Sequence, residues 1–238
     1  GDRAHNHHFQ AWAAMCGGRF EPARDAARNL VADLPAPFHE NPGPFDGFFP
    51  TELHVLIRFG RWDDILATPT FADSFPVSLA MQHYARGIAL AAKGDPAAAR
   101  AEQEQLIRTL EQLPEGASIG ITPAGPIFDV AKAMLEGEIR YREGSFDEAF
   151  AMLQTAIANE DALRYDEPRG WMTPVRHALG ALALEQGRLD LSEQAYREDL
   201  VRNPENGWAL HGLAECLERQ GETEEAAAAE NSTDPEAE

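Results

Sequence analysis

The sequence predicts an all-α protein that is built as a stack of about six antiparallel helix pairs. Three observations lead to this expectation. Alanine, leucine, glutamate and arginine recur along the 238 residues while β-branched residues are sparse, a composition that favours helix over strand. A short turn signature that begins with glycine occurs six times. Stretches rich in proline and glycine separate some of these copies and are typical of loops.

The turn signature is a glycine, then a bulky or turn-compatible residue two positions later, and in most copies a small residue three positions after that. Its six copies start at Gly18, Gly60, Gly94, Gly144, Gly187 and Gly221. The glycine ends the first helix of a pair because it adopts the left-handed backbone conformation of a tight turn. A polar residue such as Asp95 or Ser145 then starts the second helix.

The spacing of the glycines predicts the repeats in order. Gly60 and Gly94 are 34 residues apart, as are Gly187 and Gly221, and the other gaps contain an insertion. We expect a single helical domain over 1–229 and an acidic, disordered tail over 230–238. The repeats of the helical domain are predicted at about 3–36, 46–75, 76–113, 126–160, 172–206 and 207–229. Loops are expected to be inserted at 35–50, 113–126 and 161–174. Gly137 and Gly180 each lie seven residues before a turn glycine. A small residue at this position of the first helix lets the partner helix approach closely.

The last two repeats carry the most specific motif. Asn203-Pro204-Glu205-Asn206-Gly207-Trp208-Ala209-Leu210 is followed by Gly212-Leu213-Ala214 and Gly221. This stretch resembles the tetratricopeptide-repeat (TPR) family. The resemblance implies a TPR-type α-solenoid, a right-handed superhelix with a concave groove. His5-Asn6-His7-His8-Phe9 and the Tyr165–Pro168 loop are similar to segments of a group of bacterial TPR proteins, for which the resemblance implies no particular activity.

Charge and composition exclude several kinds of partner. The formal net charge of −20 repels phosphate backbones and anionic lipids, so neither nucleic acid nor a membrane surface is an expected partner. No apolar run approaches the roughly 18 residues of a membrane span. We therefore expect a soluble, cytoplasmic protein, while a periplasmic or secreted location stays open because the sequence begins at Gly1 without methionine.

The first helix of each pair is expected to face the groove. Counting back 13, 10, 6 and 3 residues from each turn glycine gives a stripe of solvent-facing positions. The candidate groove residues are Trp12, Tyr84, Met134, Glu138, His177, Trp208, His211 and Glu215. Five of the eight histidines fall on the stripe: His5, His8, His54, His177 and His211.

This enrichment of histidine has two explanations. The first is an aromatic and imidazole surface for a protein or peptide segment of basic character, held without catalysis. The alternative is a protein or enzyme that binds copper, zinc or iron through His5 and His8, one helical turn apart, with His54 as third ligand. No phosphate loop, His-Glu-x-x-His motif or nucleophile elbow is present in the sequence, which favours a non-enzymatic protein. The oligomeric state is left open.

The inserted loop from Arg164 to Trp171 mixes charged and aromatic residues, as recognition loops do. We interpret it instead as a connection that caps the next helix, with Thr173 as N-cap and Pro174 as the first helical residue.

Overall fold

The computed structural model of the protein describes residues 2–232, and this range contains twelve α-helices. In chain order, α1 to α12 are Asp2–Cys16, Phe20–Ala32, Thr51–Arg58, Trp62–Ala67, Pro76–Ala92, Pro96–Leu110, Ala124–Arg142, Phe146–Asp161, Val175–Glu185, Leu189–Arg202, Gly207–Gln220 and Thr223–Asn231. Each odd-numbered helix is followed by its even-numbered partner after a short turn. The prediction of an all-α protein is confirmed.

The six predicted turn glycines are confirmed by their backbone conformation. Every one has a positive φ, between 64° at Gly60 and 87° at Gly221. At Gly144, for example, the amide donates to the Tyr141 carbonyl at 3.0 Å, and the next amide, of Ser145, donates to Arg140 at 2.9 Å. These bonds satisfy carbonyl groups at the end of α7 that have no partner within the helix.

Small residues bring the two helices of a pair together, as the sequence predicts. A Cβ atom at Gly180 would lie 2.6 Å from the Tyr196 ring on α10. A Cβ atom at Gly137 would lie 3.0 Å from Leu153 on α8. In the α7–α8 and α9–α10 pairs, the two helices therefore approach more closely than a larger residue at these positions would allow.

One prediction about the insertions is wrong. Residues 118–123, expected in a loop, form a two-stranded antiparallel sheet of β1 (Ser118–Ile119) and β2 (Thr122–Pro123). Gly120, with a φ of 60°, permits its tight turn. The helix α12 continues through Asn231, two residues into the predicted tail, whose disorder stays a prediction. A run of alanines favours this helix, and Ala226 is buried against Tyr196 and Leu217. The rest of the predicted tail, 233–238, lies outside the described residues.

The chain divides into two compact units. Unit 1 comprises Gly1–Met15 and Arg19–Met172, and unit 2 comprises Cys16–Gly18 and Thr173–Glu238. Alanines of α1 and α2 pack with Val55 and Met172 in unit 1. In unit 2, Leu213 and Leu217 pack around Tyr196. The single domain over 1–229 stays a prediction. Across the described part of the chain, no helix combines the length and apolarity that crossing a membrane requires.

The three inserted loops are folded, and they contact one another within unit 1. A Cβ atom at Gly47, in the 3₁₀ helix Gly43–Phe48, would lie 2.7 Å from Ile119 of β1. Asp166, in the third insertion, accepts hydrogen bonds from the Thr122 hydroxyl at 2.9 Å and the Ile121 amide at 3.3 Å. The insertions therefore form a connected layer rather than three separate loops.

Candidate functional site

Four aromatic and imidazole side chains lie together in unit 1, and we call them the Trp171 cluster. His8 comes from α1, His54 from α3 and Tyr84 from α5, each the first helix of its pair. Trp171 ends the third insertion. Its ring meets the His54 ring edge-on with centroids 5.7 Å apart, and its centroid lies 5.4 Å from that of Tyr84.

Contacts outside the cluster fix the helices that carry it. The helix α5 begins over Asp46, whose carboxylate accepts hydrogen bonds from the amides of Val77 at 2.6 Å and Ser78 at 3.1 Å. A carboxylate at this place satisfies amides of the first helical turn and complements the helix dipole. At the start of α3, the Thr51 hydroxyl donates to the Phe48 carbonyl at 2.7 Å. The first insertion thereby holds both α3 and α5.

The cluster is buried, which corrects the prediction that its histidines face solvent. Only 8% of His8 and 6% of His54 are exposed, and Trp171 is 1% exposed. The reason is the third insertion, which the repeat pattern does not describe. It places Trp171 against His54 and Tyr84, while Met172 packs against α1 and α3.

Burial makes both imidazoles of the cluster neutral at pH 7. Desolvation, and to a smaller extent the proximity of His8, lowers the pKa of His54 from 6.5 to about 4. The pKa of His8 also falls to about 4, because burial outweighs the opposing effect of Asp166. A neutral imidazole offers one hydrogen-bond donor and one acceptor. The Tyr84 hydroxyl is neutral as well, since burial and then the charge of Glu138 raise its pKa.

The indole N–H of Trp171 has no hydrogen-bond partner among the described residues, although it is buried. An indole N–H can only donate, and a buried donor without an acceptor costs about 1–3 kcal/mol. No hydrogen bond joins the His8, His54 or Tyr84 side chain to another described residue, but among the four side chains of the cluster only Trp171 has a fully buried polar atom without a partner. Native proteins contain few buried polar groups without a hydrogen-bond partner, and each of them is explained by a bound ligand, an ordered water or local strain.

Four of the predicted residues are less buried, and we call them the rim. His5 is exposed, whereas Trp12, Met134 and Glu138 are partly buried. His5 and Trp12 lie one helical turn on either side of His8 on α1, and Met134 lies one turn from Glu138 on α7. Glu138 acts electrostatically on Tyr84 and also pairs with Arg142 at 2.9 Å. The rim and the Trp171 cluster together make the first-helix face of unit 1.

The metal alternative finds no site in this geometry. No three histidine, cysteine, aspartate or glutamate side chains within residues 2–232 are placed to hold one ion. The proposed ligands His5, His8 and His54 therefore do not form a three-ligand site. Their rings have aromatic neighbours instead: His5 packs on Phe9, His8 on Phe48 and His54 on Trp171.

In unit 2, the predicted groove position of His177 is wrong. Its ring is buried, and Nε2 lies 2.7 Å from a carboxylate oxygen of Asp199 on α10. Asp199 also accepts a hydrogen bond from Asn203 at 2.8 Å. His177 therefore lies between the two helices of its own pair, because its side of α9 packs against α10.

The remaining predicted residues lie on α11 of unit 2. Trp208 is partly buried, in the first turn of the helix, where its amide donates to the Asn206 side chain at 3.0 Å. His211 is exposed, with Nδ1 3.7 Å from a carboxylate oxygen of Glu230 on α12. Glu215 is paired with Arg219. These three residues do not enclose a buried polar group as the face of unit 1 does.

Trp171 is the functional candidate that sequence reasoning missed. The loop was interpreted as a cap for the following helix, but α9 begins at Val175 and Pro174 precedes it without any side-chain cap. The apolar pair Trp171-Met172 at the end of a charged loop is the signal that indicates burial.

Neither a protein-family model nor a curated protein matches this sequence.

Proposed function

We propose that this protein is a non-catalytic scaffold that binds a protein or peptide segment on the first-helix face of unit 1. We further propose that its helix pairs stack as a TPR-type solenoid, a right-handed superhelix. The repeated turn glycines and two spacings of 34 residues support this architecture. In such a stack the first helices line the surface that is open to ligands.

The observation that carries the proposal is the buried indole N–H of Trp171, which has no acceptor among the described residues. It lies in a cluster that also holds two neutral imidazoles and a phenol. Polar groups converging in an aromatic surrounding are typical of ligand sites. Trp12 and Met134 on the rim supply apolar contact area of the kind that anchors interfaces.

The charge of the chain favours a basic partner. The net charge of −20 attracts cationic segments and accelerates their association at low salt. Two carboxylates, those of Asp166 and Glu138, act electrostatically on side chains of the Trp171 cluster. A segment with lysine or arginine beside the apolar anchor residues would complement this face.

A display experiment tests the proposal. A phage-displayed library of random peptides is selected on the full chain, and the enriched peptides are measured by fluorescence polarisation. We expect peptides of net positive charge, and we expect Trp12→Ala and Met134→Ala each to weaken binding about 5- to 30-fold, as loss of an interface anchor of about 1–2 kcal/mol does.

Val201→Ala is the matched control, since Val201 is an exposed apolar residue in unit 2. It should leave binding unchanged. Circular dichroism confirms that the variants remain helical. The proposal is wrong if no peptide shows saturable binding, or if the rim variants bind as tightly as the control.

A further inference from the structure

The polar atoms of the Trp171 cluster define what could satisfy them. Trp171 contributes a donor, each neutral imidazole contributes a donor and an acceptor, and the Tyr84 hydroxyl can do either. The Trp171 ring contacts the rings of His54 and Tyr84, and His8 is close enough to His54 to act on it electrostatically. A group that only accepts or only donates would leave some of them without a partner.

Charges around the cluster restrict the ligand further. Asp166 acts on His8 and Glu138 acts on Tyr84, and both of these charges are negative. Glu138 is itself paired with Arg142 at 2.9 Å. An anion would meet repulsion from both carboxylates, and a desolvated anion is costly in such surroundings.

A cation is disfavoured for different reasons. The indole N–H and the edges of the aromatic rings present positive ends of their dipoles. No three ligating side chains within the described residues are placed to hold a metal ion. An organic cation would leave the Trp171 donor without an acceptor, as it is now.

We propose that the Trp171 cluster binds a carboxamide, an uncharged group that accepts and donates hydrogen bonds at once. Its carbonyl oxygen accepts from the Trp171 indole N–H, and its NH₂ group donates to an imidazole nitrogen or to the Tyr84 oxygen. Two sources supply this chemistry: an asparagine or glutamine side chain of a bound segment, which rests on the proposed function, and a free small amide, which does not.

The probe for the cluster is acetamide, and the readout is the indole signal of Trp171. The full chain is labelled with ¹⁵N, and Trp171→Phe identifies the Trp171 signal among the four tryptophan indoles. We expect acetamide to shift this signal downfield in a saturable way, as a new hydrogen bond to the N–H does. Acetate, which matches acetamide in size but is anionic, and methylammonium, a small organic cation, should shift it far less. No shift with acetamide, or an equal shift with acetate, overturns the proposal.

Two tyrosines provide the matched control. Tyr84→Phe removes only the buried hydroxyl, whereas Tyr165→Phe removes an exposed one. Tyr84→Phe should weaken acetamide binding severalfold and leave or raise the melting temperature without ligand, because the hydroxyl has no partner in the described chain. Tyr165→Phe should change neither. A melting temperature lowered by Tyr84→Phe would show that an ordered water already satisfies the site, and would overturn the proposal.

The two sources and the two proposals fail separately. If selected peptides lose binding when their asparagine or glutamine is replaced by alanine, the carboxamide comes from a bound segment. If acetamide shifts the Trp171 signal but peptide binding is independent of those residues, the site takes a free amide. If peptides bind while acetamide leaves the indole signal unmoved, the carboxamide inference is wrong and the proposed function stands.

Discussion

The Nε2 atom of His177 lies 2.7 Å from a carboxylate oxygen of Asp199, and both side chains are buried in unit 2. The pair joins the two helices α9 and α10, and Asn203 donates to the same carboxylate. Removing either side chain of the pair should therefore lower the stability of the fold rather than affect binding.

We predict that Asp199→Ala lowers the free energy of unfolding by about 2–4 kcal/mol, because Nε2 of His177 loses its buried acceptor. Urea denaturation followed by circular dichroism measures the change. Glu225→Ala is the control: Glu225 pairs with Arg197 at 2.6 Å, but both side chains are substantially exposed. An exposed pair contributes less than about 1 kcal/mol. Equal effects of the two substitutions would contradict the buried pairing.

The turn at Gly144 can be tested with one methyl group. Gly144 has a φ of 83°, and a Cβ atom there would meet nothing within 4 Å, so Gly144→Ala changes only the backbone preference. We expect a loss of about 1–2 kcal/mol, the cost of a left-handed conformation for an L-residue. Gly207 also has open space, but without a positive φ and within α11. Gly207→Ala should stabilise by up to about 1 kcal/mol, since alanine favours helix. The opposite signs, read from thermal unfolding, identify the turn.

Because His8 and His54 are buried, we predict that the stability of the folded chain decreases as the pH decreases. In the folded chain each has a pKa of about 4, against 6.5 for an exposed histidine. Between these values the unfolded chain binds a proton that the folded chain does not, so the folded state loses stability as pH falls from about 6.5 to 4. Between pH 7 and pH 5 each histidine should account for about 2 kcal/mol.

The variant His54→Gln separates this effect from that of the carboxylates. Urea denaturation at pH 7 and pH 5 should show a smaller loss of stability for His54→Gln than for the original chain. His211→Gln provides the comparison, because 69% of the His211 side chain is exposed. It should keep the full pH dependence. Identical pH dependence in all three proteins would mean that His54 is not buried as a neutral ring.

Asp46 and Asp95 both cap helices, but we expect different costs for their removal. The buried carboxylate of Asp46 accepts hydrogen bonds from two amides of α5 and from the Ser78 hydroxyl at 2.5 Å. Asp95 is exposed and accepts from the Ala98 amide alone, at 3.0 Å. Asp46→Ala should cost about 2–4 kcal/mol, because it leaves several buried donors without an acceptor. Asp95→Ala should cost about 1 kcal/mol, as loss of an exposed N-cap does. The comparison fails if Asp95→Ala is the more damaging in chemical denaturation.

Local chemistry explains why much of the helical framework was predictable. A tight turn after a helix requires a left-handed residue, so Gly94 or Gly187 reveals its place from the sequence alone. Close contact of two helices requires a small residue, so Gly180 opposite Tyr196 is recognisable too. These signals depend on residues a few positions apart or on one repeated spacing.

The candidate site was only partly predictable. The stripe rule placed His8, His54 and Tyr84 on one face, and contacts in unit 1 bring the three together. The same rule failed at His177, where one side of α9 packs on α10 instead of facing solvent. A periodic pattern shows which residues share a helix face, but it does not show what covers that face.

The sequence by itself determined the helices, their pairing and the turns, because glycine conformation, capping and helix propensity act over short distances. Only the tertiary structure decided that Trp171 covers His54 and Tyr84, that Asp166 bonds to Thr122, and that Asp46 caps α5. Insertions have no repeat to follow, so their positions depend on contacts between residues far apart in the chain. The protonation of His8 and His54 follows from that burial, since desolvation of an imidazole is set by its surroundings and not by its neighbours in sequence.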